Sequence, residues 1–448
     1  MSRVSAGSIL RFLDRIERER VNLHGFELRE GGKIRAEGYY APFQKGQPHR
    51  MYSVSKSMVS LAIGMLEMDG KLSLDDRIVT HFPDKLPPQP DERLLHLTIR
   101  DMLRMATCHR KTTYREGIDE DWAATFFTVV PTHEPGAVFH YDTSCSQVLG
   151  ALVERLSEQK LLDFLDTRLF APIGADDPKR WLTDPSGVAQ GGTGLMMSLR
   201  DMAKVAQLAM DGGRGLIPAD YLASATAKQI ETLMQGNPEE RFGYGWQFWR
   251  TRDGWAMYGM GGQLAVAHPG SNLLLCTIAD TRLDPYGVQR IYNAFFDEII
   301  AHCGETSSDE DGQALANRLA NLHVCGVLHD ASHALLAQGT YQISDDNLQS
   351  VQLTQNSVRL NWTHAVHEFR WDTLGAVRED RFCGVPCLIS AGMADCRTLH
   401  VQCRLIGDAP CGMDMLFSVE NACMTAVLRR SSDPMTAGYD GAFWGKAL

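Results

Sequence analysis

Ser53 and Lys56 stand three residues apart at the head of an apolar run, within HRMYSVSKSMVSLAIGMLEMDGKLSLDD (His49–Asp76). Residues at i and i+3 share one face of a helix. A serine in the first turn also lies beside unbonded backbone N–H groups and the positive end of the helix dipole. A neighbouring amine can take the hydroxyl proton if burial lowers the amine's pKa, because desolvation disfavours the ammonium. Met58, Val59, Leu61 and Ile63 supply that apolar cover. The chemistry so predicted is nucleophilic catalysis by an activated serine. The same two residues also fit the first turn of an ordinary buried helix. Spacing alone does not separate the two readings: Ser157 and Lys160 repeat it inside a charged helical stretch, where a solvated face is expected. What distinguishes Ser53 is its place at a helix start, ahead of a long apolar run.

The elements that must position this pair follow from the local pattern. GFELREGGKIRAEGYYAPF predicts a hairpin turning at Gly31-Gly32. The helix from about Ser53 should stop at Asp69-Gly70, with glycine as its C-terminal cap. LTIRDMLRMATC reads as helical, with Thr98 as cap and Asp101 in the first turn. HRKTTYREGIDEDWAATFFTV, from His109, reads as a long polar and aromatic loop. YDTSCSQVLGALVERLSEQKLLDFL begins at a turn and becomes helical. GGTGLMMSLRDMAKVAQLAMDGG is a second glycine-led helix, closed by Gly212-Gly213. The segment from Arg241 to Thr281 predicts three strands with glycine turns, and YGVQRIYNAFFDEIIAHC a closing helix.

GETSSDEDGQ (Gly304–Gln313) is small and acidic and is expected to be a linker. After one short helix, ALANRLANLHV, the chain turns to short alternating runs, which predict a small antiparallel β domain. The expected organisation is a domain over 1–303, a linker over 304–313 and a β-rich accessory domain over 314–448.

Several ordered motifs carry a resemblance to a known family. YSVSKS, LDDRI, LTIRDMLRMATC, PGAVFHYDTSCSQVLG, GGTGLMMSLRDMAKVAQL and YGMGGQ follow one another as in the class C β-lactamase-like serine hydrolases. That superfamily also holds D,D-peptidases, esterases and 6-aminohexanoate-dimer hydrolases. The resemblance covers about Asn22 to Cys303. It implies an α/β (α+β) fold: an antiparallel sheet flanked by helices, plus an all-helical subdomain. It implies Ser53 as the acyl-accepting nucleophile, Lys56 as its partner and Tyr141 as the second proton-transfer group. A tyrosine held at or near phenolate would draw on the charge of Lys56. The third motif maps to Met257-Tyr258-Gly259, so that the N–H groups of Ser53 and Met260 would form the oxyanion hole, worth ~3–4 kcal/mol in the transition state.

Two departures bear on substrate. Thr143 replaces the family's asparagine, and Met257 replaces the lysine or histidine that helps hold a carboxylate in penicillin-recognising members. Losing that cation removes a charge-assisted contact of ~1.5–3 kcal/mol. The expectation therefore moves toward an ester, amide or peptide-like bond in a small neutral or linear substrate. β-Lactamase or D,D-peptidase activity stays open, as does a non-catalytic binding or sensor role. YGMGGQ places Gly259 and Gly261 beside the site and resembles the aminohexanoate-dimer hydrolase branch. Thr143, Tyr114 and Trp122 complete the substrate-contact candidates.

Composition excludes other classes. A net charge of −11 disfavours nucleic acid and anionic membrane as partners. Arg11, Asp14 and Arg15 interrupt any N-terminal leader pattern, and Ile9, Leu10, Phe12, Leu13 and Ile16 recur at helical spacing. No apolar run approaches the ~18 residues of a membrane span. A cytoplasmic protein is expected, with its eleven cysteines reduced. The late cysteines Cys383, Cys387, Cys396, Cys403, Cys411 and Cys423 lack metal-site spacing and are expected as buried strand residues; THAVHE (His364, His367) reads as strand. There is no HExxH, P-loop, GxGxxG after a strand or GxSxG elbow. No metal or cofactor is expected, and a homodimer is left open.

Overall fold

The computed structural model describes residues 4–115, 117–407, 411–431 and 438–448. The chain forms two units, Met1–Ala279 with Tyr286–Leu322, and Asp280–Pro285 with His323–Leu448. In the first, a six-stranded antiparallel sheet runs in the order Lys33–Tyr39, Leu23–Glu30, Leu273–Ala279, Gln263–His268, Gly254–Gly259, Trp249–Thr251. Leu273–Ala279 is buried along its whole length, as its almost continuous apolar sequence, broken only by Thr277, requires of a central strand. The hairpin at Gly31-Gly32 has positive φ at both glycines (55° and 77°), the geometry of a tight two-residue β-hairpin turn. Four strands, rather than three, fill the segment from Arg241 to Thr281. The tight reversal at Thr251–Gly254 divides what reads as one aromatic run.

Helices cover this sheet and extend into a largely helical region. The N-terminal helix Ala6–Arg18 buries Ile9, Phe12, Leu13 and Ile16, and the Phe12 ring lies 5.7 Å from that of Phe26 on the sheet. Helix Val54–Met68 is buried from Val54 through Leu66, which makes it the centre of the core rather than a surface element. It ends at Asp69, followed by Gly70 at φ 67°. Helix Thr143–Ser157 packs against it. Thr98 and Asp101 cap helix Ile99–Leu103 reciprocally, as a capping box. The stretch after His109 is only partly loop: Asp121 caps a helix over Trp122–Thr128.

The acidic stretch expected as a linker contains a helix start. Ser308 and Asp311 form a second capping box, and helix Asp309–Leu319 belongs to the first unit. Its small and acidic residues are the ones a helix N-terminus favours, so composition alone reads either way.

The second unit is a ten-stranded antiparallel sheet. Its order is Val366–Arg370, Ser357–Trp362, Leu348–Leu353, Gly339–Ile343, Gly441–Ala447, Cys423–Arg430, Cys411–Glu420, Thr398–Leu405, Val385–Met393, Val377–Phe382. Alternate residues such as Leu399, Val401 and Cys403 point into a continuous core, the period-two burial of one-sided strands. Cys387, Cys403 and Cys411 are buried strand residues as expected, whereas Cys383 and Cys396 are exposed at turns. Among the described residues, no helix is long and apolar enough to cross a membrane.

Candidate active site

Ser53 is the N-cap of helix Val54–Met68, and its hydroxyl makes no capping bond. The side chain is thereby left to other partners. Lys56 Nζ donates to Ser53 Oγ at 3.2 Å and to the carbonyl of Gly192 at 2.7 Å. Lys56 is only 1% exposed. Burial lowers its pKa to about 7, against weaker opposing effects from Cys145 and Asp142. A large fraction of the amine is therefore unprotonated near neutrality, and an unprotonated amine accepts a proton.

The preceding residue, Tyr52, has φ 45°, a left-handed conformation that non-glycine residues rarely adopt. Such strain at a helix entrance accompanies functional sites. Here it turns the chain from strand His49–Arg50 into the helix, so that Ser53 faces an open cavity of about 430 Å³.

Tyr141, just before the neighbouring helix, lines the cavity together with Ser53, and the Ser53 hydroxyl is near enough to bias its phenol slightly toward ionisation. Lys56 Nζ lies 5.1 Å from the centre of the Tyr141 ring. Burial pushes the Tyr141 phenol well above its ordinary pKa. The tyrosine at or near phenolate that the resemblance implies is thus disfavoured, whereas burial favours the neutral form of Lys56 beside Ser53. Trp249 stacks on Tyr141 with ring centres 5.7 Å apart. Asp142, fully enclosed, accepts from the Ser144 N–H at 2.9 Å and so caps the helix behind Tyr141. Burial raises its pKa to about 6.

Gly259 ends the strand facing Ser53. A Cβ there would stand 2.1 Å from the Met51 carbonyl, so only glycine lets the strand pass this close to the segment that leads into Ser53. Met260 follows and lines the cavity with Ser53. Among the described residues, neither the Ser53 nor the Met260 N–H has an acceptor. Gly261, at φ 89°, makes the turn and does not line the cavity.

The remaining candidates divide. Thr143 and Tyr114 line the cavity; Trp122 does not. It lies behind Tyr114, stacked at 4.2 Å, with its indole N–H on the Ile118 carbonyl at 2.8 Å. Met257 is a core residue, and Tyr258 presents its ring to the cavity, as strand alternation dictates. Ser157 and Lys160 have no link: Ser157 Oγ bonds to Val153 O at 2.7 Å, and Lys160 is exposed, bonded to Gly187 O.

Sequence reasoning missed Gly192, Trp249, Glu240 and Gln247, and named Tyr258 only as the middle of the third motif, not as a cavity residue. Gln247 accepts from Ser57 through its carbonyl and from Ser146 through its side chain, both at 2.7 Å. It thereby joins the Ser53 helix to the Tyr141 helix. Only the alternation around Met257 gave a usable signal, for Tyr258.

The Beta-lactamase family profile matches residues 13–292. The chain belongs to the Beta-lactamase family. A 6-aminohexanoate-dimer hydrolase from Paenarthrobacter ureafaciens is 26% identical over 231 residues, covering 48% of this chain and 58% of that protein. The match thus spans less than two thirds of that relative. Two solved structures of low sequence identity share the fold. EstCE1, a hydrolase with promiscuous acyltransferase activity, aligns with a TM-score of 0.52 and 17% identity over 65% of this chain and 98% of its own. The octameric penicillin-binding protein homologue from Pyrococcus abyssi aligns with a TM-score of 0.50 and 12% identity, over 98% of this chain and 99% of its own.

Proposed function

We propose that the chain is a serine hydrolase that cleaves an ester or amide bond of a small molecule through an acyl-enzyme on Ser53. The observation that carries this reading is the Lys56 amine, 3.2 Å from Ser53 Oγ and almost wholly removed from water. Family membership supports it, and the name of the Paenarthrobacter relative favours a linear amide.

Neutral Lys56 accepts the Ser53 proton as Oγ attacks the carbonyl carbon. Charge develops on the carbonyl oxygen, and the N–H groups of Ser53 and Met260 receive it. The proton passes from Lys56, directly or through the Tyr141 phenol, to the leaving alkoxide or amine. The carbonyl re-forms, the leaving group departs, and the acyl group remains on Ser53. Water repeats the sequence with the same groups and frees the acid. Replacing Ser53 by alanine is expected to abolish both p-nitrophenyl ester hydrolysis and fluorophosphonate labelling. Labelling retained in Ser53→Ala contradicts the assignment. Acylation by a fluorescent penicillin, in the same assay, would move the substrate class to β-lactams.

A further inference from the structure

The cavity that holds Ser53 also holds a carboxylate for which the reaction has no use. Glu240 lines it together with Tyr114, Tyr141, Trp249 and Tyr258. Its carboxylate has one side-chain partner, the Asn237 amide, at 3.4 Å. Among the described residues, no lysine, arginine or histidine pairs with it. The other nearby ionisable groups are phenols: Tyr141, Tyr258 and Tyr292 all feel its charge. A phenol is neutral when protonated and negative when ionised, so none offers a cation, and burial keeps all three protonated. Among the described residues that line the cavity the other charged group is Arg115, which is exposed; Lys56 lies beside Ser53 without lining it. A largely desolvated carboxylate without a counter-ion is costly to keep, and a cation entering the cavity relieves that cost.

We propose that Glu240 is a specificity-determining residue that receives a primary ammonium group of the substrate. The inference rests on the reading of Ser53 as nucleophile and narrows its substrate class. The preferred substrate is an ester or amide that carries an amine, rather than the neutral compound expected from the loss of the third-motif cation. Aromatic walls from Tyr114 and Trp249 add cation–π attraction for the same group. Burial holds the Glu240 carboxyl up at about 7, so the preference should strengthen as pH rises through that value.

The test compares p-nitrophenyl 4-(aminomethyl)benzoate with its isostere p-nitrophenyl 4-ethylbenzoate. Wild type should prefer the ammonium ester in kcat/KM on the order of tenfold or more above neutral pH. Glu240→Gln should bring that ratio close to one and remove its pH dependence, and Glu240→Asp should restore part of it. A general disturbance of the fold lowers both rates and leaves the ratio alone. An unchanged ratio in Glu240→Gln overturns the proposal while leaving Ser53 as nucleophile. If neither ester is hydrolysed, the nucleophile reading fails separately. Calorimetric binding of benzylammonium against benzyl alcohol then decides: a preference for the cation that Glu240→Gln abolishes supports the subsite, and equal binding overturns it.

Discussion

The carbonyl of Gly192 accepts a 2.7 Å hydrogen bond from Lys56 Nζ, joining residues 136 positions apart in the chain. This bond fixes where the amine points. Gly192 can approach so closely because it lacks a side chain. A Cβ there would lie 2.3 Å from Thr143 Cγ2 and 3.2 Å from Lys56 Nζ. Gly192→Ala should therefore displace the amine from Ser53 and slow acylation by on the order of tenfold or more, since small misplacements of catalytic groups are expensive. Gly312, with open space around it on an exposed helix, is the control. Gly312→Ala should leave the rate unchanged and stabilise slightly. Stopped-flow acylation by a p-nitrophenyl ester reads both.

Lys56 is expected to cost stability as well as provide the base. Its folded pKa of about 7 lies below the ordinary 10.5, so the unfolded chain binds more protons between these values. The penalty is complete below about pH 7 and fades as pH rises toward 10.5. Lys56→Met should accordingly lose activity yet gain thermal stability, and gain more at acid than at alkaline pH. Melting temperatures of both proteins across that range check the sign. A gain that grows with pH would contradict it.

Removing the Tyr141 hydroxyl separates its roles. Tyr141→Phe keeps the stack on Trp249 and the apolar cover of Lys56, but removes the hydroxyl near Ser53. A positioned proton donor contributes on the order of 10²–10⁴-fold. The loss should fall mainly on kcat with esters of poor leaving groups, which need the proton most. A Brønsted plot against leaving-group pKa should steepen in the variant.

Ser53 and Lys56 were legible because helix-start position and apolar flanks are local properties. The Gly31-Gly32 turn and the Thr98–Asp101 box were legible for the same reason. What completes the site comes from afar. Gly192, Trp249 and Glu240 carry no periodic signal and meet Ser53 only through the fold. Trp122 misled because an aromatic in a loop near the site can as well support a lining residue as line the cavity. The 304–313 segment misled because linkers and helix starts share serine and acidic residues.

The pH dependence of acylation follows from Lys56. If its neutral form is the base, as proposed, single-turnover rates with a neutral p-nitrophenyl ester should rise through about pH 7 and level off above it. A rate that is flat across that range, with Ser53 still labelled, would assign the base elsewhere.

The most direct measurement is the titration of Lys56 itself, followed by NMR of ε-¹³C-lysine-labelled protein and assigned by the signal missing from Lys56→Met. A midpoint near 7 is the predicted result. A midpoint near the ordinary 10.5 would leave Ser53 beside a permanent ammonium and contradict the account.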